Sequence, residues 1–215
     1  MATRATGIAA AAVLAAVVVT GCGPSDTATK VDTRTSASTA TAAVPLGEAE
    51  LSGRLLTMTD LGTGYAPSSR DDLTVPGCPV YDQPGGGGLQ FATKVTAKFS
   101  GTTANGSGTL TEELHTDSPT KLSEGTKAVF DAFAKCGSFD MSLGSTQTQV
   151  TVNPAEAPKL GDESYAQLVT LSGGRTLVYK QQAVRAGNVL VVLTGTPALV
   201  DAQLPHAVEK ACGSH

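Results

Sequence analysis

The sequence predicts an α+β fold, a mostly antiparallel sheet with helices packed on one face. Three observations carry that expectation. Near the C-terminus, SYAQLVTLS, RTLVYKQQAVR and NVLVVLTG read as three strands in a row, joined by turns too short for a crossover. Two segments, 118–136 and 197–212, have the apolar spacing and end signals of helices. The elements also come in blocks (helix, strands, helix, strand meander, helix) rather than in the βαβ alternation of a parallel sheet. A sheet covered on one face leaves the other wet or forming a cleft.

Taken in order, GEAELSGRLLTMTDLGTGY (47–65) opens with an amphipathic helix. Its Leu51, Leu55, Leu56 and Met58 fall near one face, and Glu48 and Glu50 favour the first turn. Thr59-Asp60-Leu61 starts a further short turn, closed by Gly62 and Gly64. QPGGGG (83–88) is expected to be a loop and not a phosphate cradle, since no Lys-Ser/Thr pair and no helix signal follows. Phe91, Thr93, Val95, Ala97 and Phe99 alternate with polar neighbours, the mark of a half-buried strand. GTLTEELHT (108–116) fits a second strand, although Leu110 and Leu114, four apart, also fit a helix. In SPTKLSEGTKAVFDAFAKC (118–136) Ser118 caps a helix, Pro119 suits its first position, and Leu122, Val129, Phe130 and Phe133 share a face. SFDMSL and TQTQVTVN alternate as strands, and Pro154 to Gly161 is a loop. The final strands turn at Gly173-Gly174 and at Ala186-Gly187-Asn188. A last helix from Pro197 to Cys212 turns Leu199, Val200, Leu204, Val208 and Ala211 inward.

The other end of the chain carries a different signal. GIAAAAVLAAVVVT (7–20) is fourteen residues without a charge, behind Arg4. A bilayer-spanning helix needs about 20 apolar residues, so this is the length of a signal-peptide core. The run closes on Val19-Thr20-Gly21-Cys22, which resembles the bacterial lipobox. Small residues before the cut fit a protease cleft at the membrane surface, and the Cys22 thiol and freed amine can take fatty acyl chains. One myristoyl-length chain holds only marginally, whereas a lipoprotein cysteine carries at least two. The expected organisation is a lipoprotein signal peptide (1–21), a Thr/Ala/Ser-rich tether (22–46) and one domain (47–215). The tether has almost no large apolar residue with which to build a core, and as a flexible chain it would reach about 27 Å.

Composition excludes several classes of function. Without Arg4 the mature chain has 14 Lys and Arg against 19 Asp and Glu, evenly spread. Nucleic-acid binding needs clustered basic residues, so it is not expected. Tryptophan is absent and aromatics are 4%, which argues against stacking platforms. No strained GxSxG turn, calcium loop or cofactor fingerprint is present, so neither a cofactor nor a metal is expected. His115 and His206 are expected at the surface or half-buried. Glu112 and Glu113, adjacent on a strand, would point to opposite faces and could not cooperate. Asp71-Asp72 and Asp162-Glu163 look like turn acids, with Asp162 in GDES (161–164) placed to cap or to accept backbone hydrogen bonds, a ligand-orienting role being the alternative.

Three cysteines follow Cys22: Cys78, Cys136 and Cys212. Outside the cytoplasm they allow one bridge and one thiol. Cys78 and Cys136 stand in ordered surroundings, so Cys78–Cys136 is the expected disulfide, stabilising by about 4 kcal/mol in the chain-entropy treatment. Cys136–Cys212 is the alternative.

LLTMTDLGTGY (55–65), the Cys in GCP (77–79), a helix ending in Cys136, and GDES followed by paired strands containing VRAGNVLVVL (184–193) together resemble the PknH-like extracellular sensor-domain family of high-GC Gram-positive bacteria. The resemblance implies a twisted antiparallel sheet around a central cleft, and a small-molecule or cell-envelope ligand. It departs in its cysteines, since the kinase-linked domains look to have two disulfides. With no kinase domain in the chain, signalling is expected to need a partner. The expectation is therefore a non-catalytic, lipid-anchored, extracellular ligand-binding or sensor-like domain, on the outer side of the cell membrane. The alternatives are a module docking on a membrane or wall protein, and a hydrolase of unrecognised type. Cys22→Ser is expected to abolish radiolabelled fatty-acid incorporation and to shift the protein out of the membrane fraction.

Overall fold

The computed structural model describes residues 44–69, 89–103, 106–143, 146–174 and 176–213. The predicted signal peptide with Cys22, most of the tether, Asp71-Asp72, Cys78 and the QPGGGG run lie outside them. Among the described residues no helix is long and apolar enough to cross a membrane.

The elements are α1 (Glu48–Ser52), α2 (Met58–Leu61), β1 (Tyr65–Pro67), β2 (Thr93–Thr103), β3 (Gly106–Thr116), α3 (Pro119–Cys136), β4 (Ser138–Leu143), β5 (Thr146–Pro154), β6 (Glu163–Ser172), β7 (Thr176–Ala186), β8 (Val189–Gly195) and α4 (Pro197–Cys212). All eight strands join one antiparallel sheet in the order β1-β2-β3-β8-β7-β6-β5-β4. The α+β fold is thus as the sequence predicts. The 108–116 stretch resolves as strand β3, since its neighbours β2 and β8 offer ladders on both sides.

One topological step governs the rest. After β3 the chain crosses the sheet as α3 and enters at the far edge with β4. The meander β4 to β8 then works back until β8 closes against β3, Leu114 opposite Val191. α3 is started by Ser118, whose hydroxyl accepts the Lys121 N–H, and by Pro119. Its Leu122, Val129, Phe130 and Phe133 bury against Val150, Val152, Val169, Ala183, Leu190 and Val192. α4 runs over the opposite face. There Val200, Leu204, Ala207 and Ala211 meet Leu110, Leu114, Val184, Val189, Val191 and Leu193, joined by Leu51 and Leu56.

This corrects the expectation that helices cover one face only. The alternation along β8 decides it, because Val189, Val191 and Leu193 face α4 whereas Leu190 and Val192 face α3. Every residue of β8 is buried. A second correction concerns the first helix. It ends at Ser52, with Gly53 as its cap, so Leu51 and Leu56 stay buried while Met58 starts α2 with half its surface exposed. Ahead of α1, Leu46 N–H donates to Thr116 Oγ1 and Asn188 Nδ2 to the Val44 carbonyl, tying the entering chain to the β3 and β8 ends.

Leu190→Ala, at a site with 0% exposure, is expected to cost about 2–5 kcal/mol in chemical denaturation. Val178→Ala, at one of the exposed apolar positions, should change stability by less than about 0.5 kcal/mol.

Candidate functional site

The α3 face carries a cavity of about 300 Å3. Phe130, Asp131 and Ala134 of α3 form one wall, Pro154, Ala155 and Ala157 the other, and Ser164 to Gln167 of β6 the floor. Each part is held in place. The Tyr165 ring stacks on Phe130 with centroids 5.3 Å apart. Ala155 N–H donates to the Ala166 carbonyl (3.0 Å), fixing the second wall to the floor strand. The Ser164 hydroxyl donates to the Pro158 carbonyl. Burial pushes the Tyr165 phenol above its usual range, and the neighbouring Glu163 carboxylate adds to that.

Gln167 is the most buried polar residue of the floor, 2% exposed. Its Nε2 donates to Gln181 Oε1 (2.7 Å), and Gln181 Nε2 donates in turn to Thr194 Oγ1 (3.2 Å). Register places the three side by side on β6, β7 and β8, so the amides form a ladder across the sheet. The charged groups beside the cavity are already paired, Asp131 with Lys127 and Glu163 with Arg185.

The GDES stretch serves the fold. Asp162 Oδ2 accepts from Arg185 Nη1 (2.9 Å) and from Gly187 N–H (2.8 Å), while Arg185 Nη2 reaches Glu163 Oε1 (2.9 Å). The side-chain bonds from Arg185 hold Glu163 below the usual carboxylate range. Gly161 passes so close to Arg185 that an added Cβ would lie 2.4 Å from its carbonyl oxygen, at a φ of +62°. Only glycine meets both conditions. Asp162 does accept the backbone hydrogen bond its position suggested, and the clasp locks the start of β6 to the β7–β8 turn.

Glu112 and Glu113 do point to opposite faces, and they meet opposite fates. Glu112 on the α4 face is 0% exposed, with Oε2 accepting the Leu56 N–H (2.6 Å) and Oε1 without a partner. Desolvation by burial pushes its pKa up to about 7, against the opposing pull of the Leu56 hydrogen bond and the Lys210 charge. Glu113 on the α3 face is only partly buried, and hydrogen bonds from His115 and Lys94 outweigh its desolvation and hold it at about 2. His115 corrects the expectation of a surface or half-buried residue. It is wholly buried, its Nε2–H donating to Glu113 and the Phe91 ring meeting it edge-on at 5.4 Å. The physical reason is that β3 is an inner strand, flanked by β2 and β8.

His206 stays half exposed on α4 and bonds Asp60 Oδ1 (3.0 Å). Lys210 Nζ and the Thr57 N–H both bond Asp60 Oδ2, each at 2.6 Å. Together these bonds outweigh the desolvation of Asp60 and set its carboxyl far below the usual range. His206 therefore helps fasten α2 to α4. Cys136 is disulfide-bonded, whereas Cys212 is a free, exposed thiol, which removes the Cys136–Cys212 alternative. Among the described residues no group of three or more His, Cys, Asp or Glu side chains is placed to hold a metal. The residues that sequence reasoning missed are those of the cavity. One signal was present: in SYAQLVTLS the inward register Tyr165, Gln167, Val169, Leu171 contains a single amide.

Fold and site together define an α+β domain with one antiparallel sheet, helices on both faces, and a small cavity beneath the crossover helix. The extracellular domain of PknH from Mycobacterium tuberculosis has this fold: the chains superpose with a TM-score of 0.58, over 79% of this chain and 98% of that one, at 14% identity. That likeness bears out the fold resemblance read from the sequence. No family model and no curated protein matches the chain.

Glu112 sets a pH dependence whose sign follows from its direction. A buried acid with a raised pKa favours folding while it is neutral, below about 4.5, and loses that contribution as pH rises through about 7. Glu112→Gln is expected to stabilise the protein relative to wild type by up to about 3 kcal/mol at pH 8, and to bring no such gain at pH 4.5, in urea titrations at both pH values.

Proposed function

We propose that this chain is a lipid-anchored, extracellular, sensor-like lipoprotein whose domain binds a small ligand or cell-envelope component without catalysing a reaction. The observation that carries the reading is the cavity between Phe130, Tyr165 and Gln167, set in a domain with the fold of the PknH extracellular domain. Its volume, about 300 Å3, is at the small end of ligand sites. The acidic residues support the non-catalytic part: Asp60, Asp162, Glu113 and Glu163 are engaged in ion pairs, and Glu112 is sealed off on the far face. The anchor at Cys22 and the disulfide between Cys78 and Cys136 belong to the same proposal. It places the domain where a bridge persists and a tether holds it above the outer membrane surface of the cell.

Docking onto a membrane or wall protein finds less support. The large apolar side chains exposed among the described residues are Val44 ahead of α1, Met58 on α2 and Val178 on β7, single residues from separate segments of the chain. Purification of the full protein from its native envelope, followed by mass spectrometry of co-eluting small molecules, is expected to recover a ligand at near-stoichiometric yield. Recovery of a protein partner alone, with no small molecule, overturns the reading in favour of docking.

A further inference from the structure

The cavity's chemistry narrows its ligand. Charged groups at its edge are matched within the protein, Asp131 by Lys127 and Glu163 by Arg185, so a charged ligand would have to break an ion pair to find a counter-charge. The Ser164 hydroxyl donates to Pro158 and the Tyr165 hydroxyl leans toward Glu163 at 3.5 Å. The remaining recognition group is the Gln167 amide. It spends one N–H on Gln181, and its Oε1 and second N–H make no hydrogen bond among the described residues. An acceptor and a donor on one planar group form the edge that pairs with another amide. Around it lie the Tyr165 and Phe130 rings and the methyl groups of Ala155, Ala157 and Ala134, an apolar and flat surround.

The ladder behind Gln167 gives that edge its orientation. Gln181 accepts from Gln167 and donates to Thr194, so neither amide can turn over alone without setting like atoms against each other. A fixed amide 2% exposed is costly to leave unsatisfied when a ligand displaces water from it, and a ligand lacking the matching edge incurs that cost.

Resting on the reading of the cavity as a ligand site, we infer that it takes a small neutral molecule with a flat apolar part and a carboxamide-like donor–acceptor edge, the edge meeting Gln167 and the flat part lying against Tyr165.

The full-length protein, titrated with benzamide, benzoate and acetophenone while its side-chain amide signals are followed by NMR, tests this. Benzamide is expected to move the Gln167 and Gln181 amide signals and to bind about 10-fold more tightly than either comparison probe, the worth of one uncompensated buried hydrogen bond. Gln167→Leu should bring benzamide down to the acetophenone level. Should that variant fail to fold, Gln167→Glu, which keeps the size, is expected to shift the preference from benzamide to the benzamidine cation. Equal binding of all probes near Tyr165, unmoved by either variant, overturns the amide assignment and leaves the cavity a ligand site. Binding of none, while envelope preparations still yield a small molecule, overturns the assignment to this cavity and leaves the ligand-binding reading standing. Binding of none and an empty envelope preparation sinks both.

Discussion

Strand β8 is the constraint on which the molecule depends. It is the last strand made, and it must enter between β3 and β7, two strands separated by the whole of α3 and the meander. Once there it supplies both hydrophobic cores, Val189, Val191 and Leu193 to α4 and Leu190 and Val192 to α3. Without β8 both helices lose part of the floor they pack on, and β1–β3 would be a separate three-stranded ribbon with an unpaired edge. The clasp of Asp162, Arg185 and Gly187 stands at the turn that feeds β8, where it orients the strand's entry.

Burial on both faces has a consequence for polar residues near β8. A side chain that β3 or β7 buries beside β8 must find a partner or stay neutral. Glu113 finds His115 and Lys94; Glu112, on the other face, finds a single backbone N–H and is held near neutrality instead. Gln181 and Gln167 solve the same problem by bonding each other and Thr194. The cavity floor is the point where that row emerges beneath α3. The recognition group proposed for the ligand is thus the cavity-lining end of a structural network, which gives it rigidity at no added cost in ordering.

Much of this was legible beforehand. The span of α4 and the capped start of α3 follow from local chemistry: Ser118 and Pro119 for one, Pro197 and a run of inward apolar residues for the other. The three C-terminal strands and their turns are likewise local. GTLTEELHT was ambiguous because Leu110 and Leu114 suit either period; only the ladders of β2 and β8 choose between them. His115 misled because its position near a strand end says nothing of whether that strand is inner or outer. The site was least legible. Phe130, Ala155 and Gln167 come from a helix, a connecting segment and a strand, and nothing in their spacing along the chain brings them together.

By itself the sequence determined the class of fold, the spans of α3 and α4, the opposed directions of Glu112 and Glu113, and the role of Asp162, since each depends on neighbours within a few residues or one turn. The tertiary structure alone decided that helices cover both faces, that His115 is buried, and that a cavity with an amide floor lies under α3. Those outcomes are set by which strands become neighbours. Strand order here joins residues about eighty apart in the chain, β3 to β8, and contacts at that separation depend on the summed packing of every element between them.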